Sequence, residues 1–67
     1  MIILYSQDCP KCKILEQKLR QKNIIFDISK ETDKLAKLGF MTLPVLQVNE
    51  DYLDFGSAVK WVNAYAA

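Results

Sequence analysis

With 67 residues the chain has room for one small domain, residues 1–67, and folding at this size buries only about 60% of the unfolded surface. Half of the residues are apolar, 51%, which is ordinary for a globular protein and too rich for disorder. The longest apolar run falls far short of the roughly 20 residues that span a bilayer, and a net charge of +1 excludes a general polyanion binder, so neither membrane nor nucleic acid is an expected partner.

Ile2-Ile3-Leu4-Tyr5 is a short apolar run ending in the polar Ser6-Gln7-Asp8, the pattern of a buried strand. From Pro10 to about Lys22 the period becomes helical, with Ile14, Leu15 and Leu19 on one face and the lysines and glutamines on the other. Asn23 punctuates this helix, and the β-branched and aromatic run Ile24 to Ile28 predicts a second strand. Ser29 is placed to cap a short helix through about Leu38, with Leu35 and Leu38 inward and Gly39 as its stop. Pro44 opens a third strand, Val45-Leu46-Gln47-Val48, and Asn49-Glu50-Asp51 turns the chain into a fourth, Tyr52 to Phe55. Gly56-Ser57 starts the last helix, capped by Ser57; Ala58, Val62 and Tyr65 recur on one face, widened by Val59 and Ala66. The order β-α-β-α-β-β-α, a right-handed crossover followed by a hairpin, predicts an α/β fold with a four-stranded mixed sheet flanked by helices. The first strand-like run begins at Ile2, so no leader is expected, and the expected compartment is the cytoplasm.

The two cysteines stand in Cys9-Pro10-Lys11-Cys12, where the first strand gives way to the first helix. Small secreted domains use several spread cysteines as staples, whereas a lone C-x-x-C in a cytosolic chain points to catalysis or metal. A disulfide closing so short a loop also removes little chain entropy. Pro10 suits the first helical position. Cys9 then falls at the N-cap, its sulfur placed to accept from the N–H groups of Lys11 and Cys12. The helix dipole and the charges of Lys11 and Lys13 favour a thiolate, and Asp8 works weakly against it. Cys12, one turn on, is within disulfide reach and expected to be the less exposed of the pair.

The consequent mechanism is two-step exchange, in which Cys9 attacks a substrate disulfide and Cys12 resolves the mixed disulfide. A thiolate stabilised in this way makes the pair more oxidising than thioredoxin, whose potential is roughly −270 mV. Lys11, Lys13, Lys18, Arg20 and Lys22, opposed only by Asp8 and Glu16, read as a solvated helix face or as a positive rim that favours acidic partners. The alternative chemistry is a small metallochaperone holding Cu(I) between the same two thiolates. Copper-carrying domains of this kind run β-α-β-β-α-β and end in a strand, while Ser57 to Ala66 has helical period. A closed zinc site needs two further ligands, and the chain has no third cysteine and no histidine.

Together with the cysteine motif, Thr42-Leu43-Pro44 resembles the Thr-x-Pro segment of glutaredoxins and related small redoxins of the thioredoxin superfamily. The likeness extends over nearly the whole chain, through Tyr5-Ser6 before the cysteines, Leu38-Gly39-Phe40 before Thr42-Leu43-Pro44-Val45, and Gly56 before the last helix. It implies a thioredoxin-like fold, with Cys9 as nucleophile and Cys12 as resolving thiol. Pro44 would be a cis-proline beside the disulfide, with the backbone of Leu43 turned outward to pair with an extended substrate. It further implies a monomeric dithiol–disulfide oxidoreductase without a bound cofactor that reduces protein or glutathione-mixed disulfides. Its electrons would come from glutathione or from thioredoxin reductase, and one branch of the family donates electrons to ribonucleotide reductase.

The substrate-binding residues expected from this comparison are Lys11, Thr42, Leu43, Pro44, Gly56 and Ser57. Lys11 departs from the aromatic residue that dithiol glutaredoxins carry between their cysteines. Gly56-Ser57-Ala58 lacks the acidic residues that hold glutathione there, leaving the N–H groups of Ser57 and Ala58 to receive a carboxylate. Asp54-Phe55-Gly56 stands where the ribonucleotide-reductase-associated branch has a Trp-Ser-Gly-Phe-type signature. Trp61 reads as a boundary residue, Tyr5 and Phe40 as core or as the approach to Cys9, and Met41 as a flank of the groove.

Overall fold

In the computed structural model, which describes residues 1–7 and 9–65, the chain runs β1 (Ile2–Tyr5), α1 (Pro10–Gln21), β2 (Asp27–Ser29), α2 (Asp33–Lys37), β3 (Val45–Val48), β4 (Asp51–Leu53) and α3 (Phe55–Ala64). The strands form one four-stranded sheet in the order β2-β1-β3-β4. β1 pairs parallel with β2 and antiparallel with β3, and β3 pairs antiparallel with β4. The sheet is therefore mixed and the class is α/β. Helix α1 supplies the crossover that parallel neighbours require.

Because successive strand residues point to opposite faces, each strand serves two layers. Ile2, Leu4, Leu46, Val48 and Leu53 pack with Leu15 and Leu19 of α1 and Ala58 and Val62 of α3. Ile3, Tyr5, Val45 and Tyr52 pack with Leu35 of α2 and with Phe40 and Leu43 of the loop that follows it. The pairing Leu4↔Leu46 and Leu46↔Leu53 keeps these faces in register across the sheet.

Several boundaries differ from the sequence expectation, each for a local reason. On α1 the buried stripe is Cys12, Leu15 and Leu19, while Ile14 is 45% exposed. A step of one residue turns a side chain about 100° around the helix, so Ile14 leaves the stripe that Leu15 occupies. The predicted strand Ile24 to Ile28 shortens to Asp27–Ser29. Asn23 closes α1 at φ 57, and the Ile24 N–H donates back to the Leu19 carbonyl at 3.1 Å. Ile24 thus enters the core from the end of the helix, Ile25 is left 93% exposed, and pairing with β1 begins only at Ile3↔Asp27.

Ser29 lies in β2 and caps a turn, its Oγ accepting from the Glu31 N–H at 3.2 Å, while Thr32 is the N-cap of α2. That five-residue helix buries Leu35 alone and leaves Leu38 exposed. Gly39 ends it at φ +94, the region that favours glycine. The hairpin turn is Asn49-Glu50, with Asn49 at φ 56 and Asp51 already paired with Val48. Phe55 belongs to α3 rather than β4, because Asp54 leaves the strand to cap that helix. Ser57 is therefore not the cap. Ala58 and Val62 are buried, Tyr65 is exposed at the C-cap against the Trp61 ring at 5.3 Å, and Trp61 sits half-buried at the boundary. Asp8 and Ala66 lie outside the described residues. Among the described residues no helix is long and apolar enough to cross a membrane.

Candidate active site

β1 ends inside the core with Leu4, Tyr5 and Ser6 buried, and the Ser6 N–H extends the parallel pairing by donating to the Ser29 carbonyl at 3.1 Å. The chain is thereby delivered to the C-terminal end of this central strand, where α1 starts. Pro10 is the first helical residue, and Cys9 takes the extended N-cap conformation at φ −77, ψ 160. Of the two amides expected to reach the Cys9 sulfur, that of Cys12 does so, donating to Sγ at 3.1 Å. The Lys13 N–H donates to the Cys9 carbonyl at 3.0 Å. The two sulfurs lie at disulfide-bonding distance, with the Cα atoms 5.0 Å apart. Cys9 is half-buried and Cys12 is 1% exposed. One sulfur faces outward at the positive end of a helix, and its partner is sealed behind it.

The Thr42-Leu43-Pro44 segment meets this pair from β3. The Leu43–Pro44 peptide bond is cis, Pro44 is buried, and the Leu43 carbonyl oxygen is 4.0 Å from Cys9 Sγ. Thr42 is exposed and Leu43 half-buried. Beside them opens a cavity of about 210 Å³ lined by Leu35, Ala36, Phe40, Thr42 and Leu43, with Met41 at its rim, 88% exposed. Phe40 thus serves both core and groove. Tyr5 is core only, since its ring stacks on Tyr52 at 6.4 Å and its hydroxyl donates to Gln47 Oε1 at 2.8 Å. On the same ring rests Lys34, 4.9 Å from the centroid, and the Tyr5 hydroxyl holds its ammonium above the ordinary lysine value.

Lys11 directs its ammonium to the Phe55 ring, 5.6 Å from the centroid. This places the start of α3 beside the cysteine loop. Gly56 is the second residue of α3 rather than the residue before it. The N–H groups of Ser57 and Ala58, expected to be open to a carboxylate, are both engaged. Ser57 donates to Asp54 Oδ1 at 2.8 Å, and Ala58 donates to the Asp54 carbonyl at 2.8 Å. The Ser57 amide in turn holds the Asp54 carboxyl below the usual carboxylate range. Sequence reasoning missed Asp54, although an aspartate three residues before Ser57 is a recognisable N-cap signal. The structure thus brings Cys9, Cys12, Leu43 and Pro44 into one constellation, with Lys11, Gly56 and Ser57 around the α1–α3 junction.

Among the described residues no three His, Cys, Asp or Glu side chains converge in a group that could hold a metal ion. Chemically the arrangement provides a half-buried sulfur that accepts a backbone N–H at a helix start, a shielded second sulfur within bonding reach, and a neighbouring backbone carbonyl. Comparison with known proteins found no matching family model, no matching curated protein and no matching solved structure.

Proposed function

We propose that the protein is a cytoplasmic thiol–disulfide oxidoreductase of thioredoxin-like fold, working through Cys9 and Cys12. The observation that carries this reading is the asymmetry of the pair. Cys9 Sγ accepts the Cys12 amide at 3.1 Å at the helix start, while Cys12 is 1% exposed behind it. A sulfur that accepts a backbone N–H at the positive end of a helix is better satisfied as a thiolate. The half-open sulfur is the one that a partner's disulfide reaches.

In the cycle, the Cys9 thiolate attacks one sulfur of the substrate, forming a mixed disulfide and expelling the other substrate sulfur as a thiolate. Deprotonated Cys12 then attacks Cys9 Sγ, releases the second substrate thiolate and closes the Cys9–Cys12 bond, so two electrons pass to the substrate. Glutathione or thioredoxin reductase returns the pair to the dithiol. The Leu43 carbonyl, 4.0 Å from Cys9 Sγ, offers an extended substrate backbone a place to pair, with Thr42 and Pro44 on either side. The substrates are protein disulfides or glutathione-mixed disulfides, and ribonucleotide reductase fits as an electron recipient.

The parallel β1–α1–β2 unit, the β3–β4 hairpin and the closing helix α3 support the thioredoxin-like reading. A Cu(I) carrier of the type weighed from the sequence ends in a strand instead. The test is a reductase panel in which the protein is supplied with glutathione and its reductase, or with thioredoxin reductase, and turnover of a protein disulfide is followed. Turnover with either source is expected. Failure of Cys9 and Cys12 to interconvert between dithiol and disulfide at a measurable potential, with stoichiometric Cu(I) uptake instead, sinks the reading.

A further inference from the structure

The sheet has two outer strands, β2 and β4, and an outer strand turns a row of backbone groups away from its neighbour. On β2 the centre of that row is Ile28. The Ser29 carbonyl accepts from the Ser6 N–H on the β1 side, and successive strand residues send their N–H and C=O to alternate sides. Ile28, in register with Leu4, therefore presents both groups outward. Its side chain is 48% exposed, and Ile25 just before the strand is 93% exposed. Between them Phe26 is half-buried, with the Arg20 guanidinium 5.7 Å from its ring centroid. A cavity of about 450 Å³ lined by Arg20, Asn23, Ile24, Ile25, Phe26 and Ile28 runs along this edge. None of these residues belongs to the cysteine constellation. The two edges also differ in charge. Glu50, Asp51 and Asp54 mark the β4 edge with no cation among them, so a copy of itself is repelled there. The β2 edge carries Asp27, Lys30 and Glu31, a set of mixed sign.

We propose that β2 pairs antiparallel with β2 of a second copy of this chain, with the two-fold axis at Ile28, so that the two sheets join into one across a weak dimer. A two-fold axis perpendicular to the sheet keeps each face on its own side, so only residues whose side chains share a face stand opposite one another. Three centres lie within β2, at Asp27, Ile28 and Ser29. Centring on Asp27 sets two carboxylates face to face, and centring on Ser29 sets Asp27 against Glu31 of the second copy. Like charges directly opposite are destabilising. Centring on Ile28 sets Ile28 on Ile28, Asp27 against Ser29 and Phe26 against Lys30, with no like pair. The outward N–H and C=O groups of the two Ile28 residues then meet and exchange two main-chain hydrogen bonds. A strand of three residues keeps the contact below the roughly 1,200 Å² of a standard interface, which makes the dimer a weak one. This departs from the monomer that the family resemblance implies, and it does not depend on the redox reading.

Sedimentation equilibrium on the full chain, from about 10 µM to about 1 mM, reads an association of this strength. The average mass is expected to rise from 7.7 kDa toward twice that value. On the same samples, amide hydrogen exchange by NMR is expected to show the Ile28 N–H slowing roughly tenfold as the dimer forms. Ile28→Lys sets two ammonium groups at the axis and removes the apolar contact. It is expected to weaken association at least roughly tenfold, with unchanged far-ultraviolet circular dichroism. Should that variant fail to fold, the wild-type Ile28 amide decides alone. A chain that stays monomeric up to about 1 mM leaves this edge to a strand of some other protein and overturns the proposal. So does a dimer in which the Ile28 amide exchanges as fast as in the monomer, or one that a folded Ile28→Lys variant forms as tightly as the wild type.

Discussion

Cys9 and Cys12 carry the same functional group one helical turn apart, and in the proposed cycle only their surroundings divide the labour between them. Cys9 is half-open with a backbone amide on its sulfur, and Cys12 is sealed. Cys12→Ser is therefore expected to accumulate mixed disulfides on Cys9, seen as discrete adducts by non-reducing mass spectrometry. Cys9→Ser is expected to lose dithiol exchange to the uncatalysed background; equal residual activity in the two variants contradicts the assigned roles. Asp54 yields a pH dependence whose sign follows from its lowered carboxyl value. A group whose native value is depressed contributes stability that is complete above its unfolded value of 3.8 and is lost as pH falls through the lower native value. Thermal midpoints of the wild type should thus fall more steeply than those of Asp54→Asn below about pH 4, and parallel profiles would remove this contribution. The placement of the cysteines was legible in the sequence because a strand-to-helix junction with proline at the first helical position leaves Cys9 one place to be, the N-cap of α1. The α3 start was not, because Asp54 and Ser57 both have capping chemistry, and the choice depends on where β4 lets the chain go.

At the scale of elements, periodicity located every helix and strand but not their edges. β2 pairs with β1 over three residues because Ile24 is still held by the end of α1, and the β-branched run Ile24 to Ile28 is divided between core, solvent and sheet. Helix α2 is too short to display the period that would separate Leu35 from Leu38. The helix faces can be tested by contrast. Leu19→Ala removes a fully buried side chain between sheet and α3, and is expected to cost roughly 2–5 kcal/mol in urea unfolding. Ile14→Ala, on the exposed side, should move the midpoint by no more than about 0.5 kcal/mol. Comparable losses at both positions would place Ile14 back in the stripe. Gly39 tests the backbone alone. Nothing lies within 4 Å of where its Cβ would stand, yet its φ is +94, so Gly39→Ala should cost about 1 kcal/mol through strain without a clash. No change in the unfolding midpoint would contradict that backbone assignment.

Across the whole molecule, stability resides in two apolar layers, one on each side of β1 and β3. A bond joining residues three apart closes so small a loop that a chain-entropy model gives it only roughly 2 kcal/mol. Against this, the reduced state gains whatever the Cys12 amide and the start of α1 give to a Cys9 thiolate. The two contributions oppose one another, and by linkage their difference also moves the reduction potential upward from a merely stapled pair. Oxidised and fully reduced protein should therefore unfold in urea within about 2 kcal/mol of each other, with the same far-ultraviolet circular dichroism before the transition. The potential, measured against a glutathione or dithiothreitol series, should lie above the roughly −270 mV of thioredoxin. An oxidised form more stable by about 4–5 kcal/mol, the size expected of a long-loop disulfide, together with a potential at or below that value, would make Cys9–Cys12 a staple. The asymmetry at the helix start would then have no chemical consequence.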